Sequence, residues 1–199
     1  MDIPFKGLNI QMLLYNQFEN LDLFGPFDVF AIAEELQAPI HASLVTLDGA
    51  SEVVSFQGVS VKPTGSYNPS ADIFFIPGCA MIWESVQIEG LAEALPHWQQ
   101  PGKTLVADCT GTLLVAKTGL LKGRNANAHH LAANALRQYG VNVINARVVD
   151  DGNLITSGGI TSGIDLAIWI IERFLGNALA LQIEQIMEYE RRGVVWRSQ

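Results

Sequence analysis

Strand-like and helix-like segments alternate along this chain, which predicts an α/β fold: a single domain over residues 1–199, with a mostly parallel central sheet and helices on both faces. Three observations carry that expectation. The run Ile73–Ile76 (IFFI) is apolar at every position, as a strand buried on both faces must be. Ile164, Ala167, Ile168 and Ile171 recur at helical spacing, with Gly176 as a natural stop. Turn formers, such as Pro77-Gly78 and Asp150-Asp151-Gly152-Asn153, punctuate the apolar runs.

Taken in order, residues 8–15 (LNIQMLLY) read as the first strand. Gly25-Pro26 opens a helix through Leu36, because proline at a helix start gives up an N–H that would be unpaired anyway. Residues 40–47 form the second strand, and 53–61 a small hairpin about Gln57-Gly58. After the IFFI strand, 81–99 reads as a helix that Pro96 kinks or ends. Residues 103–107 form the next strand, and a helical pattern follows from Leu113. Helix is expected at 128–139, strand at 142–149 and 154–156, and helix at 161–175 and 178–190. Ligands in such sheets bind beyond the carboxyl ends of the strands. Three loops should therefore converge there: 19–26, 77–80 and 108–111.

Composition narrows the function classes. Hydrophobic residues make up 49% and charged residues 16%, enough for a packed core rather than disorder. Lys and Arg number 12 against 20 acids, a net charge of −8. Without a basic stripe, a nucleic-acid partner is not expected. The start (MDIPFKGLNIQMLLY) lacks the pattern of a secretory leader, and no apolar run reaches the ~18 residues that span a bilayer. A soluble cytoplasmic protein without a membrane partner is the expectation. Two cysteines are too few for a disulfide scaffold. The four histidines show no ligand spacing, so no metal is expected; GxGxxG is absent, and nothing matches a phosphate-cradling loop.

The chemistry centres on Asp108-Cys109-Thr110. An apolar strand ends in a cysteine and small residues lead at once into a helix, the pattern of a nucleophile elbow. The turn exposes the side chain, and the helix start favours thiolate, the reactive form. The alternative is a buried structural cysteine. Asp22, between the first strand and first helix, should reach the same end of the sheet. Facing a thiolate in a poorly solvated pocket, its carboxyl should resist ionising and serve as general acid or base; otherwise it is a polar loop residue. Backbone N–H groups at Gly78 and Cys79, with that of Thr110, offer an anion-stabilising set, unless Pro77-Gly78 is only a turn. Cys79 is either an inert small hydrophobe or a thiol able to trap Cys109 as a disulfide. His129 is an accessory proton carrier or a packed residue beside His130. Gly158-Gly159-Ile160-Thr161 precedes a helix and leaves room for close backbone approach.

Four segments carry a resemblance: LDLFGPFDVF, FFIPGCA, DCTGTLLVAKTGLLKGRNANAHH and ARVVDDGNLITSGGITSGIDLAIWIIERF. Together they resemble the ThiJ/PfpI superfamily, the class I glutamine-amidotransferase-like group, over nearly the whole chain. Pairing Leu-Asp-Leu-x-Gly-Pro with Cys-Thr-Gly and Gly-Gly-Ile-Thr-x-Gly-Ile-Asp is most similar to the isonitrile hydratase branch. The resemblance implies a flavodoxin-like sandwich, Cys109 as nucleophile, Asp22 as acid/base, no cofactor, a small-molecule substrate and a homodimer. It implies addition of Cys109 to the isonitrile carbon, a thioimidate, and release of an N-substituted formamide. Thr110 stands where protease-like members carry histidine, which argues against a Cys-His protease. Cys79 replaces the second glycine of Pro-Gly-Gly, and Asn127-Ala128-His129-His130 replaces Thr-Thr-His-Trp, so the pocket wall differs. Two other classes remain: a redox-sensing or stress protein with an oxidisable Cys109, and a ligand-binding domain without chemistry.

Overall fold

In the computed structural model, which describes residues 7–198, a seven-stranded sheet runs through the centre of the molecule. Residues 1–6, the start of the segment read for a leader, lie outside the described residues. The elements are β1 (Leu8–Leu13), α1 (Asn20–Glu35), β2 (Ile40–Val45), β3 (Val53–Val54), β4 (Ser60–Val61), β5 (Ile73–Ile76), α2 (Leu91–Ala94), β6 (Thr104–Ala107) and α3 (Gly111–Ala116). They continue with β7 (Asn125–Ala126), α4 (Ala133–Gln138), β8 (Asn142–Val143), β9 (Val148–Asp150), β10 (Leu154–Ser157), α5 (Ser162–Leu175), α6 (Asn177–Ile186) and β11 (Val195–Arg197).

The strand order is β11-β9-β10-β6-β5-β1-β2, and only the β9–β10 pairing is antiparallel. The five consecutive parallel strands take the flavodoxin-like order expected of the fold. From β1 the chain first adds β2 on one side and later β5 on the other, so the topological switch lies between β1 and β5. β5 and β6 are buried at every position, as their apolar sequences require. Helices α1, α5 and α6 pack together, and α3 packs with α4 as a separate pair.

Several boundaries differ from expectation, each for a physical reason. α1 begins at Asn20, six residues before Pro26, so Asp22 lies in its first turn rather than in a loop. A proline that far inside a helix forfeits one hydrogen bond and crowds the preceding turn. Here the gain is close packing. A Cβ on Gly25 would lie 3.1 Å from Ile164 Cγ1, and one on Gly163 would lie 3.0 Å from Pro26 Cγ. Gly25-Pro26 and Gly163-Ile164 thus interlock α1 with α5.

The helix expected over 81–99 shrinks to α2 and a 3-10 turn, Leu95–Gln99. Lys117 Nζ donates to the carbonyls of Trp83 (2.6 Å) and Glu84 (3.0 Å), drawing them away from helical partners. The strand expected over 142–149 is two strands: β8 pairs with β7, while β9 joins the main sheet. The last helix ends at Ile186, and β11 adds an unexpected edge strand beside β9. Phe30 and Trp98 are fully buried, Trp83 and Trp169 nearly so, and α1 packs on α5, α6 and β2. Among the described residues no helix is long and apolar enough to cross a membrane.

Candidate active site

β1, β5 and β6 deliver Asp22, Gly78 and Cys109 to one end of the sheet. The three expected loops converge tightly on Gly78. A Cβ there would lie 2.9 Å from Cys109 Cβ and from Thr110 Oγ1, and would collide with Asp22 Oδ2. Only glycine leaves room for these three side chains. Gly111 fixes the elbow in the same way, since a Cβ on it would meet the Ile76 carbonyl oxygen at 2.5 Å. The helix after the nucleophile therefore presses directly on strand β5.

Backbone strain gathers at this point. Ala80 (φ 52°), Cys109 (φ 54°) and Ile160 (φ 51°) occupy the left-handed region, which side chains disfavour. Such conformations persist where the surroundings overdetermine them, and they cluster at functional sites. Cys109 is 2% exposed and Asp22 is fully buried, so the pair is shut away from bulk water.

Enclosure sets the electrostatics. Burial pushes the Asp22 carboxyl up to about 7, and the charge of Glu19 adds to this; the Cys109 thiol and the Gly78 N–H partly oppose it. Neither Asp22 oxygen completes a hydrogen bond of regular geometry. Burial also pushes the Cys109 thiol well above its ordinary value, reinforced by the charges of Asp22 and Asp108. The N–H groups of Ile160 and Thr110 face the sulfur and pull the other way. A thiolate favoured by the helix start alone is thus not what the structure holds. α3 has only six residues, so its dipole is short, and desolvation outweighs it. Instead, the Asp22 carboxyl ionises well before the Cys109 thiol, and each charge disfavours the other.

The expected anion-stabilising set changes as well. Cys79 N–H donates to Thr110 Oγ1 at 2.9 Å and is occupied. The Gly78 carbonyl accepts from Glu19 N–H at 2.8 Å, and the Gly78 N–H faces Asp22. Thr110 and Ile160 are the backbone donors that remain facing the sulfur. Cys79 is a free, fully buried thiol whose Sγ lies 3.7 Å from Thr110 Oγ1, and burial raises its pKa. It packs as a small hydrophobe; Tyr15 beside it donates from its hydroxyl to the Pro77 carbonyl at 2.7 Å.

His129 is half-buried, and its ring fills the space where a side chain on Gly159 would be. That ring is the close approach for which Gly158-Gly159 leaves room. Its Nδ1 accepts from Leu131 N–H at 3.3 Å, and no hydrogen bond joins it to Cys109 or Asp22. Burial, then His130, lowers its pKa, so the imidazole is neutral at pH 7.

Sequence reasoning gave no role to Asp108. It is fully buried, accepts from Ser157 Oγ at 2.5 Å, and its other oxygen lies against Gly163 without a partner. Burial, then Asp22, raises its pKa well above the carboxylate range. No local signal marked it: Asp108 lies just past β6, and its contacts with Ser157 on β10 and Gly163 on α5 come from distant parts of the chain.

Comparison with known proteins places this geometry. The sequence pattern of the DJ-1/PfpI family matches residues 9–173. The chain belongs to the DJ-1/PfpI family. It is 34% identical to an isonitrile hydratase of Pseudomonas putida over 185 residues, 92% of this chain and 79% of that protein. It is 26% identical to the HTH-type transcriptional regulator CdhR of Pseudomonas aeruginosa, but spans only 52% of that protein's length. Among solved structures, a ThiJ/PfpI family protein from Pseudomonas syringae superposes with a TM-score of 0.77 at 26% identity, over 96% of this chain and 78% of that one. Drosophila melanogaster DJ-1beta shares the DJ-1/PfpI fold, with a TM-score of 0.81 at 19% identity over 93% of this chain and all of that one.

Proposed function

We propose that the chain is a cofactor-free, cysteine-dependent hydratase that converts an isonitrile and water to an N-substituted formamide. The observation that carries this reading is the enclosed Asp22–Cys109 pair, whose carboxyl titrates near 7. Similarity to the Pseudomonas putida isonitrile hydratase supports the reaction class.

The pair suits the chemistry. Once Asp22 ionises, near pH 7, it holds one proton and one negative charge; the proton rests on Cys109 and must move to Asp22 for reaction. With the proton on Asp22, Cys109 is a thiolate beside a carboxylic acid. The terminal carbon of an isonitrile is a slim, linear tip that accepts both partners. Asp22 gives its proton to that carbon, and Cys109 Sγ bonds to the same atom, forming a thioimidate. Asp22, now a carboxylate, takes a proton from water as the oxygen adds to the C=N carbon. The nitrogen gains that proton, the carbon–sulfur bond breaks as the Asp22 carboxylate takes the remaining hydroxyl proton, and the formamide leaves. One water is consumed and the pair regains its starting charge. The N–H groups of Thr110 and Ile160 stabilise sulfur when it carries charge.

Infrared loss of the isonitrile stretch of cyclohexyl isocyanide tests this directly. Wild-type protein should remove the band, whereas Cys109→Ala should not. An unchanged band at high wild-type concentration overturns the assignment.

A second reading is a sensory domain that kept the fold without chemistry. Enclosure of Cys109 and the similarity to half of a transcriptional regulator favour it. Ligand binding that survives Cys109→Ala, with no turnover by wild type, would select it. The hydratase reading includes a homodimer. Val54, Phe56 and Val59 on the β3–β4 hairpin are large apolar side chains left exposed, and sedimentation velocity would check the assembly.

A further inference from the structure

A groove of about 1140 Å³ opens beside the reacting pair, and the mechanism above makes no use of it. Gly159 and Ile160 line it, and the Ile160 N–H faces Cys109 Sγ. The groove is larger than a one-carbon reacting tip needs, and slightly exceeds the ordinary range of small-molecule sites. Its charge is unusual for this molecule. The chain carries 20 acids and a net charge of −8, yet among the described residues no Asp or Glu lines the groove. Arg137, Arg147, His129 and His130 do.

The two guanidiniums differ in freedom. Arg147 Nε pairs with the buried Asp165 at 2.5 Å, and its Nη2 donates to Thr161 Oγ1 at 2.9 Å. Tyr189, which donates to the same Asp165 carboxylate, also engages the Arg147 side chain. Arg137 is exposed, and donates to the neutral Asn134 side chain at 2.8 Å. No carboxylate neutralises it. Val143, Ile144 and Trp196 supply apolar wall in the same groove.

We infer that this groove holds the body of the substrate, and that the substrate is a small carboxylate with an apolar, preferably aromatic, frame. The carboxylate lies toward Arg137 and Arg147, the frame against Val143, Ile144 and Trp196, and the reacting end toward Ile160 and Cys109. Binding of the carboxylate rests on the groove alone; its identity as an isonitrile rests on the hydratase reading.

Calorimetric titration of the full chain with phenylacetate, phenylacetamide and phenethylammonium tests the groove without any turnover. Phenylacetate should bind more tightly than the neutral amide, and the cation should not bind. Arg137→Gln, an exposed change away from the reacting pair, should weaken phenylacetate about fivefold and leave the amide unchanged. Cys109→Ala should leave phenylacetate binding intact. Equal binding of acid and amide, no binding of phenylacetate, or an unaltered Arg137→Gln variant would each overturn the proposal. Turnover of para-isocyanobenzoate against its methyl ester then separates the two claims. Preference for the acid supports both. Preference for the ester overturns the groove's role in the reaction. Failure to turn over either compound, with phenylacetate still bound, removes the hydratase reading and leaves the carboxylate site standing.

Discussion

Asp22→Asn should gain stability relative to wild type above neutral pH while slowing the proposed hydratase reaction. The carboxyl is fully buried and its pKa is raised from 3.8 to about 7, so ionising it inside the fold is costly. At about 1.4 kcal/mol per pH unit, a rise of roughly three units is worth up to ~4 kcal/mol against the ionised native state. The sign follows from proton binding. Between pH 4 and 7 the folded chain holds a proton that the unfolded chain has released, so stability falls as pH rises through that window. Asparagine has nearly the same shape and cannot ionise. Any cost of burying its amide is the same at every pH. The stability of Asp22→Asn relative to wild type should therefore improve by roughly 2–4 kcal/mol between pH 4 and pH 8. Urea denaturation followed by tryptophan fluorescence across that range measures it, with buried Trp98 as reporter. A difference between variant and wild type that does not change with pH would refute the reasoning.

Hydratase kcat/KM should climb with pH to a plateau, with an apparent pKa near 7, as the pair loses its first proton; a rate already maximal at pH 5 would contradict this. Asp22→Asn should cost about 10²–10⁴ in kcat, the usual worth of a general acid–base, in the infrared assay. Gly78→Ala should destabilise by about 1–3 kcal/mol in thermal or urea unfolding and impair turnover, because its methyl must displace Asp22 or Cys109. Asp108→Asn should fold normally and gain stability at alkaline pH, since it replaces a buried acid that resists ionising; a large loss at pH 6 would show that Asp108 is charged in the fold. A thiol reagent such as Ellman's should label Cys79 and Cys109 slowly in the native protein and rapidly in denaturant, and fast native labelling of Cys79 would be inconsistent with its burial.

The alternation of apolar runs and turn formers determined the α/β class and placed β1, β2, β5, β6 and α5 within a few residues, because hydrophobic period is a local property. Cys109 and Asp22 were placed at one end for the same reason: Cys109 follows β6, Asp22 opens the helix after β1, and parallel strands bring the segments after them to one end. Elements held by distant groups were not legible. Lys117 unwinds the 81–99 segment from another part of the chain, and β11 exists only because β9 offers it a free edge. Pro26 reads locally as a helix start, yet α1 extends past it because α5 supplies a glycine for it to pack against. The raised thiol and carboxyl pKa values, the buried Asp108 and the acid-free groove likewise belong to the tertiary structure. Residue identity sets a group's ordinary acidity, but desolvation and neighbouring charge depend on what the fold packs around it, and here they raise both the Cys109 thiol and the Asp22 carboxyl.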